Sequence, residues 1–131
     1  MPEEHSHAVS KRILVVDDDA GIRNVLATVL EDEGYEVRTA ADGLEGLEEA
    51  QRSRPDVVIL DFQMPNCDGP AFAERYRAAP NPAPIILLTA SHQVRARCGM
   101  VDADGCIGKP FDIDDLLRTV EDHSHSHAKA A

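Results

Sequence analysis

Basic residues are scarce in this chain. Its 131 residues include 13 lysines and arginines against 24 aspartates and glutamates, so the formal net charge at pH 7 is −11. Because DNA, RNA and anionic membranes repel a surface of that sign, we expect the chain to bind neither nucleic acid nor membrane. A protein that carries a basic face is the expected kind of partner.

Long apolar runs and paired cysteines are lacking too. No stretch approaches the roughly 20 apolar residues that a helix needs to span a bilayer, and no secretory signal is present, so we expect a soluble cytoplasmic protein. The three cysteines, Cys67, Cys98 and Cys106, are odd in number and lack metal-site spacing. These features favour reduced thiols that act as small buried apolar side chains.

Five short apolar runs alternate with helical patterns along the chain. The runs lie at residues 12–16, 35–40, 56–60, 84–88 and 105–108. Continuous apolar runs are typical of strands buried on both faces, and their alternation with helices is typical of βαβ units around a parallel sheet. We therefore predict one α/β domain over residues 11–122, with five strands and five helices. The polar segments 1–10 and 123–131 are predicted to be disordered tails.

The fourth predicted helix has the weakest pattern. Over residues 92–101, Gly99 interrupts the helical period and the apolar stripe is thin. Arg95 and Arg97 are predicted to face solvent, and we expect this helix to be short or mobile. The first helix is well formed by comparison, and Asp19 is placed to cap it.

Polar side chains stand where four of the predicted strands end: Asp17 and Asp18, Asp61, Thr89 and Lys109. Because open α/β sheets bind ligands at the carboxyl ends of their strands, we expect these side chains to meet at that edge. Carboxylates a few ångströms apart repel by roughly 3 kcal/mol per pair at an effective dielectric of about 20. A divalent cation and the lysine would neutralise them, and hard oxygen ligands in an incomplete shell indicate Mg²⁺.

Asp61 is the predicted nucleophile of this site, because a carboxylate exposed at a sheet edge can attack a phosphoryl group and form an acyl phosphate. Asp17 and Asp18 are predicted to hold Mg²⁺, which draws charge from the transferring oxygens. The Thr89 hydroxyl and the Lys109 ammonium can each reach a different oxygen of a phosphoryl group on Asp61. Either residue alone could be an ordinary strand-end or surface residue, but their joint placement favours a site.

Five segments, taken in order and with their spacing, resemble the receiver domain of two-component response regulators over residues 11–122. They are ILVVDDD at 13–19, ADGLEGL at 41–47, PDVVILDFQMPNCDG at 55–69, PIILLTA at 84–90 and GKPF at 108–111. The resemblance implies a flavodoxin-like doubly wound parallel sheet of strand order 2-1-3-4-5, with helices on both faces. That architecture agrees with the pattern of strands and helices.

The resemblance also implies a role for each site residue. Asp61 would be the phosphorylation site, Asp18 and Asp61 would be side-chain ligands of Mg²⁺, and Asp17 would act largely through a bound water. Gln63 would give its backbone carbonyl to the metal. One position departs from the family, since receivers often have tyrosine or phenylalanine where this chain has Cys106. We therefore expect activation to travel through the site threonine and the fourth helix, and not through an aromatic rotation.

The partners implied by the resemblance are a sensor histidine kinase or a histidine phosphotransfer protein as donor, and a downstream protein target. The domain is expected to stand alone as a monomer or weak dimer. It would catalyse its own phosphorylation and dephosphorylation without independent substrate turnover. A phosphorelay intermediate or a phosphate sink is a close alternative.

Two other classes of function fit less well. Asp17 and Asp19 superficially form the D-x-D pair of haloacid-dehalogenase-like phosphohydrolases, but Gly21 stands where that family needs threonine or valine, and no cap insertion is present. A nucleotide-binding flavodoxin-like module is weaker still. The phosphates of a bound nucleotide would be repelled by the acidic DDDAG loop, which also lacks a glycine-rich cradle.

Overall fold

The computed structural model describes the backbone of residues 10–130 and the side chains of residues 10–124. The strands are β1 (Arg12–Val16), β2 (Glu36–Ala40), β3 (Val57–Asp61), β4 (Ile85–Ala90) and β5 (Gly105–Lys109). The helices are α1 (Ala20–Asp32), α2 (Gly43–Ser53), α3 (Gly69–Arg77), α4 (Val94–Val101) and α5 (Ile113–Ala130). The prediction for the N-terminal tail falls almost entirely outside the described residues.

All five strands are parallel and lie in the order β2-β1-β3-β4-β5, which confirms the predicted flavodoxin-like architecture. The order reverses between β1 and β3, and this switch point is where open α/β sheets form a crevice beyond their strand ends. The carboxyl ends of β1 and β3 therefore place their following residues side by side. Among the described residues, no helix is both long and apolar enough to cross a membrane.

Alternate residues of each central strand supply two cores, one on either face of the sheet. In β1, Ile13 and Val15 pack with apolar residues of α1 and α5, while Leu14 and Val16 pack with residues of α2 and α3. Phe72 is fully buried in the second core. Full burial of one large apolar side chain of this kind stabilises the folded state by about 1.5–3 kcal/mol. This double burial explains why the strands read as continuous apolar runs.

Aspartates begin the first three helices at the carboxyl edge of the sheet. Asp19 accepts a hydrogen bond from the Ile22 N–H at 3.2 Å, as predicted, and Asp42 accepts one from the Glu45 N–H at 2.8 Å. An N-cap of this kind satisfies a backbone donor that the helix leaves unpaired. Since Asp19 caps α1, the two aspartates before it have no capping task.

The helix α4 is short, as predicted, with eight residues after a 3₁₀ turn at Ser91–Gln93. Its C-terminal end is tied to α3, because Arg77 donates to the carbonyl oxygens of Val101 and Asp102, both at 2.7 Å. These two hydrogen bonds therefore attach the C-terminal end of the short helix to the rest of the domain.

The helix α5 extends through residues that were predicted to form a disordered tail. The His123 ring nitrogens lie 2.8 Å from the carbonyl oxygen of Thr119 and 3.0 Å from that of Asp104. Ser124 is buried and donates to the Glu121 carbonyl at 3.1 Å. Backbone carbonyls thus satisfy the polar side chains of this turn, and the packed domain continues past the predicted boundary at residue 122.

The prediction of three reduced cysteines is wrong for two of them. Cys98 of α4 and Cys106 of β5 form a disulfide, with Cα atoms 6.1 Å apart, while Cys67 is a free and buried thiol. That separation lies within the usual range for a disulfide. The pairing depends on how α4 packs against β5, and spacing along the chain does not reveal it.

Two glycines give a matched test of packing. A methyl group at Gly43 would collide with the backbone carbonyl of Cys67, whereas one at Gly99, inside α4, would meet nothing within 4 Å. We expect Gly43→Ala to destabilise the fold by about 1–3 kcal/mol through overpacking. Gly99→Ala should stabilise it by about 0.5–1 kcal/mol through helix propensity. Urea denaturation measures both, and equal midpoints for the two variants would contradict this account of the α2 packing.

Candidate functional site

The carboxyl ends of β1, β3, β4 and β5 open onto one cleft with a volume of about 660 Å³. The cleft is lined by every residue that the sequence singled out for the site, namely Asp17, Asp18, Asp61, Gln63, Thr89 and Lys109. The structure therefore brings together side chains that are far apart in sequence. Register explains this, because Asp61 pairs with Leu88 and Thr89 pairs with Gly108 across the sheet.

Three carboxylates form the floor and rim of the cleft. Asp17, Asp18 and Asp61 each offer an oxygen, and these oxygens all lie within 4.8 Å of one another. Asp17 is only 1% exposed and Asp61 only 7%, while Asp18 is open to solvent. A set of hard oxygen donors with an open side fits Mg²⁺, which keeps several waters when a protein binds it.

A single ammonium group lies between the two buried carboxylates. Lys109 Nζ is 2.8 Å from Asp61 Oδ1 and 3.5 Å from Asp17 Oδ2. The other oxygen of Asp17 accepts a hydrogen bond from the Asp19 N–H at 2.9 Å. The peptide bond between Lys109 and Pro110 is cis. One positive charge thus faces three negative ones, and the cluster retains a net negative charge.

The electrostatics of the cluster show how incomplete this neutralisation is. Burial raises the pKa of Asp61 above its ordinary value of 3.8, and the hydrogen bond from Lys109 does not offset it. Burial likewise raises the pKa of Asp17. For Lys109, burial lowers the pKa, but the hydrogen bond and charge of Asp61 together with those of Asp17 outweigh burial and raise the pKa above 10.5. Lys109 therefore stays charged, and its single positive charge does not fully neutralise the two buried carboxylates.

The loop after β3 brings Gln63 to the cleft. The Gly69 N–H donates to the Phe62 carbonyl at 2.9 Å, which closes the loop at its base. Asn66 has a left-handed backbone with φ of 69°, a conformation that asparagine tolerates, and its side chain donates to Asp42 Oδ2 at 3.0 Å. The loop is thus fastened to α2, and Gln63 is an exposed residue at the edge of the cleft.

The prediction that Arg97 faces solvent is wrong. Its Nη1 donates to Thr89 Oγ1 at 3.1 Å, and its Cζ lies 4.5 Å from the centre of the Phe62 ring. Arg97 therefore lines the cleft beside the predicted residues, and Thr89 is only 2% exposed. The thin apolar stripe of α4 gave no signal for this, because the contact depends on where α4 lies relative to β4.

Solved receiver structures have the same architecture. The chemotaxis protein CheY4 of Vibrio cholerae is 37% identical, with a TM-score of 0.76 over 88% of this chain and 99% of that chain. A CheY-like response regulator receiver domain protein from Methanospirillum hungatei is 31% identical, with a TM-score of 0.82 over 94% of this chain and all of that one.

The following relatives are longer than this chain. The response regulator MprA of Mycobacterium leprae is 40% identical over 111 residues, which are 83% of this chain but 49% of the relative. MprA of Mycobacterium tuberculosis matches to the same extent, and this chain spans about half the length of both relatives. The sequence model of the response regulator receiver domain matches residues 13–121. With its cleft, its sheet order and these matches, the chain belongs to the response regulator receiver domain family.

Proposed function

We propose that this chain accepts a phosphoryl group on Asp61 from a phosphohistidine of a sensor kinase or a phosphotransfer protein. An Asp61 oxygen attacks phosphorus, the nitrogen–phosphorus bond breaks, and the imidazole leaves with the electron pair, so that an acyl phosphate forms. The observation that carries the proposal is the contact of Lys109 Nζ with Asp61 Oδ1 at 2.8 Å inside a cleft of three carboxylates.

Mg²⁺ is the proposed cofactor of the transfer. Asp18, Asp61 and the backbone carbonyl of Gln63 would hold the ion, and Asp17 would contact it largely through water. When bound, the ion supplies positive charge that reduces the repulsion between the anionic cleft and the incoming phosphoryl oxygens. The chemistry of the donor set supports this assignment, because the three clustered carboxylates offer hard oxygens.

Two residues of the chain would bind the transferred group directly. Lys109, held charged by its carboxylate partners, would pair with one phosphoryl oxygen, as a charged donor does best. Thr89, at the end of β4, would donate its hydroxyl hydrogen to a second oxygen. Both side chains lie on neighbouring strands, and their positions are fixed by the pairing of β4 with β5.

Signalling would pass through a protein partner in the cytoplasm. The net charge of −11 disfavours contact between this domain and nucleic acid. We propose the surface formed by α4, β5 and α5 as the output face, and helix α1 with the loops around Asp61 as the donor face. Met100 of α4 is 66% exposed and offers an apolar contact on the output side. A haloacid-dehalogenase-like reaction is disfavoured, because Asp19 serves as the N-cap of α1.

Phosphorylation is tested with acetyl phosphate as a small donor. Wild-type protein in Mg²⁺ should gain the mass of one phosphoryl group in intact-mass spectra, because Asp61 attacks phosphorus. Asp61→Asn should gain none, and chelation of Mg²⁺ should abolish the gain in wild type. Asp32→Asn, which removes an exposed carboxylate at the end of α1, serves as control and should behave as wild type. Equal modification of Asp61→Asn would place the acceptor elsewhere.

The charge of the cleft predicts a pH-dependent gain in stability for Asp61→Asn in chelator. The pKa of Asp61 is raised in the folded protein, so folding favours the protonated carboxyl group. The contribution of Asp61 to the stability of wild type is therefore greatest at low pH, and it is lost as the pH rises through the pKa of the folded state. Asparagine stays neutral throughout. The variant should therefore unfold at higher temperature than wild type at pH 7.5, and the difference should shrink as the pH falls through that pKa.

Thermal unfolding across pH measures the effect, with Asp32→Asn again as control. Adding Mg²⁺ should narrow the gap between wild type and Asp61→Asn, because the ion stabilises the ionised carboxylates of wild type by binding the folded state. A wild type that is more stable than Asp61→Asn at pH 7.5 in chelator would show that the carboxylate cluster is not under electrostatic stress.

A further inference from the structure

A second cation faces the cleft from α4. Arg97 Nη1 lies 3.1 Å from Thr89 Oγ1, and its guanidinium stacks over Phe62 at 4.5 Å from the ring centre. Stacking on a ring and one hydrogen bond fix a long side chain in one position. Arg97 is half-buried, unlike its exposed neighbour Arg95.

The hydrogen-bonding capacity of these groups is only partly used. Arg97 donates to a lone pair of the Thr89 hydroxyl, which leaves the hydroxyl hydrogen to donate to another oxygen. A guanidinium carries five N–H donors in a planar fork, and that geometry matches a phosphoryl group. Arg97 can therefore orient Thr89 and also present donors to an oxygen in the cleft.

Charge balance gives Arg97 a role once Asp61 is modified. A phosphoryl group replaces the single charge of Asp61 with about two negative charges, so the cleft gains about one negative charge. A divalent ion and Lys109 together match only the three clustered carboxylates of the unmodified site, and Asp19, which also lines the cleft, adds a fourth negative charge. Among the described residues that line the cleft, Arg97 is the one remaining cation.

We propose that Arg97 is a second phosphoryl-binding residue, and that it carries the phosphorylation state of Asp61 directly to α4. The inference rests on the proposed function, since it requires a phosphoryl group on Asp61. Cys106 occupies the position where many receivers have an aromatic ring, so an arginine on α4 gives this chain another route from the cleft to the output face. The contact with Thr89 places Arg97 beside the group that it would bind.

The test uses beryllofluoride, a stable analogue of the phosphoryl group, with Mg²⁺ present. Arg97→Gln should bind it about tenfold more weakly than wild type, since one charge-assisted hydrogen bond is lost. Arg97→Lys should recover part of the affinity, because it restores the charge without the planar fork. Arg95→Gln, on the same helix but exposed, is the matched control and should bind as wild type does.

Amide exchange of residues 94–101 supplies a second readout. Beryllofluoride should slow exchange in α4 of wild type and of Arg95→Gln, and should leave α4 of Arg97→Gln unaffected. Wild-type protein that fails to bind beryllofluoride would overturn the proposed function itself. Normal binding by wild type, with Arg97→Gln indistinguishable from Arg95→Gln in affinity and exchange, would overturn the role of Arg97 alone.

A separate observation concerns the covalent link between α4 and the sheet. Cys98, next to Arg97 in sequence, is bonded to Cys106, the second residue of β5. Nearby, a methyl group on Gly108 would lie 2.6 Å from the Cα of Ser91, so the turn before α4 sits tightly on β5. The disulfide thus links α4 covalently to β5 and would restrict any movement of α4 relative to that strand.

We also infer that this disulfide makes the mobility of α4 depend on the redox state. A dithiol reductant would transfer two electrons and two protons to the bond, which yields the Cys98 and Cys106 thiols and the oxidised dithiol. In a reducing cytoplasm the thiols would predominate, and exchange with a low-molecular-weight disulfide would form the bond again. Oxidation would then restrain the helix that carries Arg97.

Amide exchange of α4 in the oxidised and the dithiothreitol-reduced protein tests this inference, with thiols counted by alkylation and mass. Reduction should speed exchange of residues 94–101 in wild type by about tenfold, a factor typical of a modest loss of local stability. Cys98→Ser should exchange at the reduced rate with or without reductant. Cys67→Ser, which alters the free buried thiol, should keep the response. Equal exchange in the two redox states of wild type, or three titratable thiols after oxidation, would overturn it.

Discussion

The placement of one ammonium group between two buried carboxylates is the constraint on which the rest of this structure depends. Lys109 Nζ lies 2.8 Å from Asp61 and 3.5 Å from Asp17, although Asp17 follows β1, Asp61 ends β3 and Lys109 ends β5. Desolvation of both carboxylates still outweighs the charge of the lysine, and their pKa values rise. A cleft that is short of positive charge in this way favours a divalent cation and a reaction that such a cation assists.

The α/β architecture and the members of this cleft at the strand ends were predictable because their signals are local. Strands buried on both faces must be apolar along their whole length, and the residues that follow them must lie at one edge of a parallel sheet. Asp17, Asp61 and Lys109 were found by that reasoning alone. Asp19 was assigned to the N-cap of α1 by position, and its hydrogen bond to the Ile22 N–H confirms it.

The features that sequence reasoning missed all depend on how the last helices pack. Arg97 reaches Thr89, Cys98 reaches Cys106, and His123 reaches the backbone of Asp104 only because α4 and α5 lie against β4 and β5 as they do. A weak helical pattern fixes neither the rotation nor the position of a short helix. The thin stripe of α4 therefore predicted its length but not the direction of its arginine.

Two of these missed contacts lie on one helix, α4. Arg97 joins α4 to the cleft by a hydrogen bond, and Cys98 joins it to β5 by a covalent bond. The eight residues of α4 thus contact both Thr89, the proposed phosphoryl-binding hydroxyl, and β5, which is part of the proposed output face. In a receiver with these contacts, a change in the position of α4 would transmit the phosphorylation state. An aromatic side chain on β5 would not be needed for that transmission.

Asp61 is the phosphoryl acceptor in the proposed function, and borohydride trapping tests that assignment most directly. Borohydride reduces an aspartyl phosphate to homoserine, so the modified residue can be identified by mass in a peptide. After treatment with acetyl phosphate and Mg²⁺, homoserine should be found at position 61 and at no other aspartate. Homoserine at Asp17 or Asp18, or its absence from a protein shown to carry a phosphoryl group, would contradict the account.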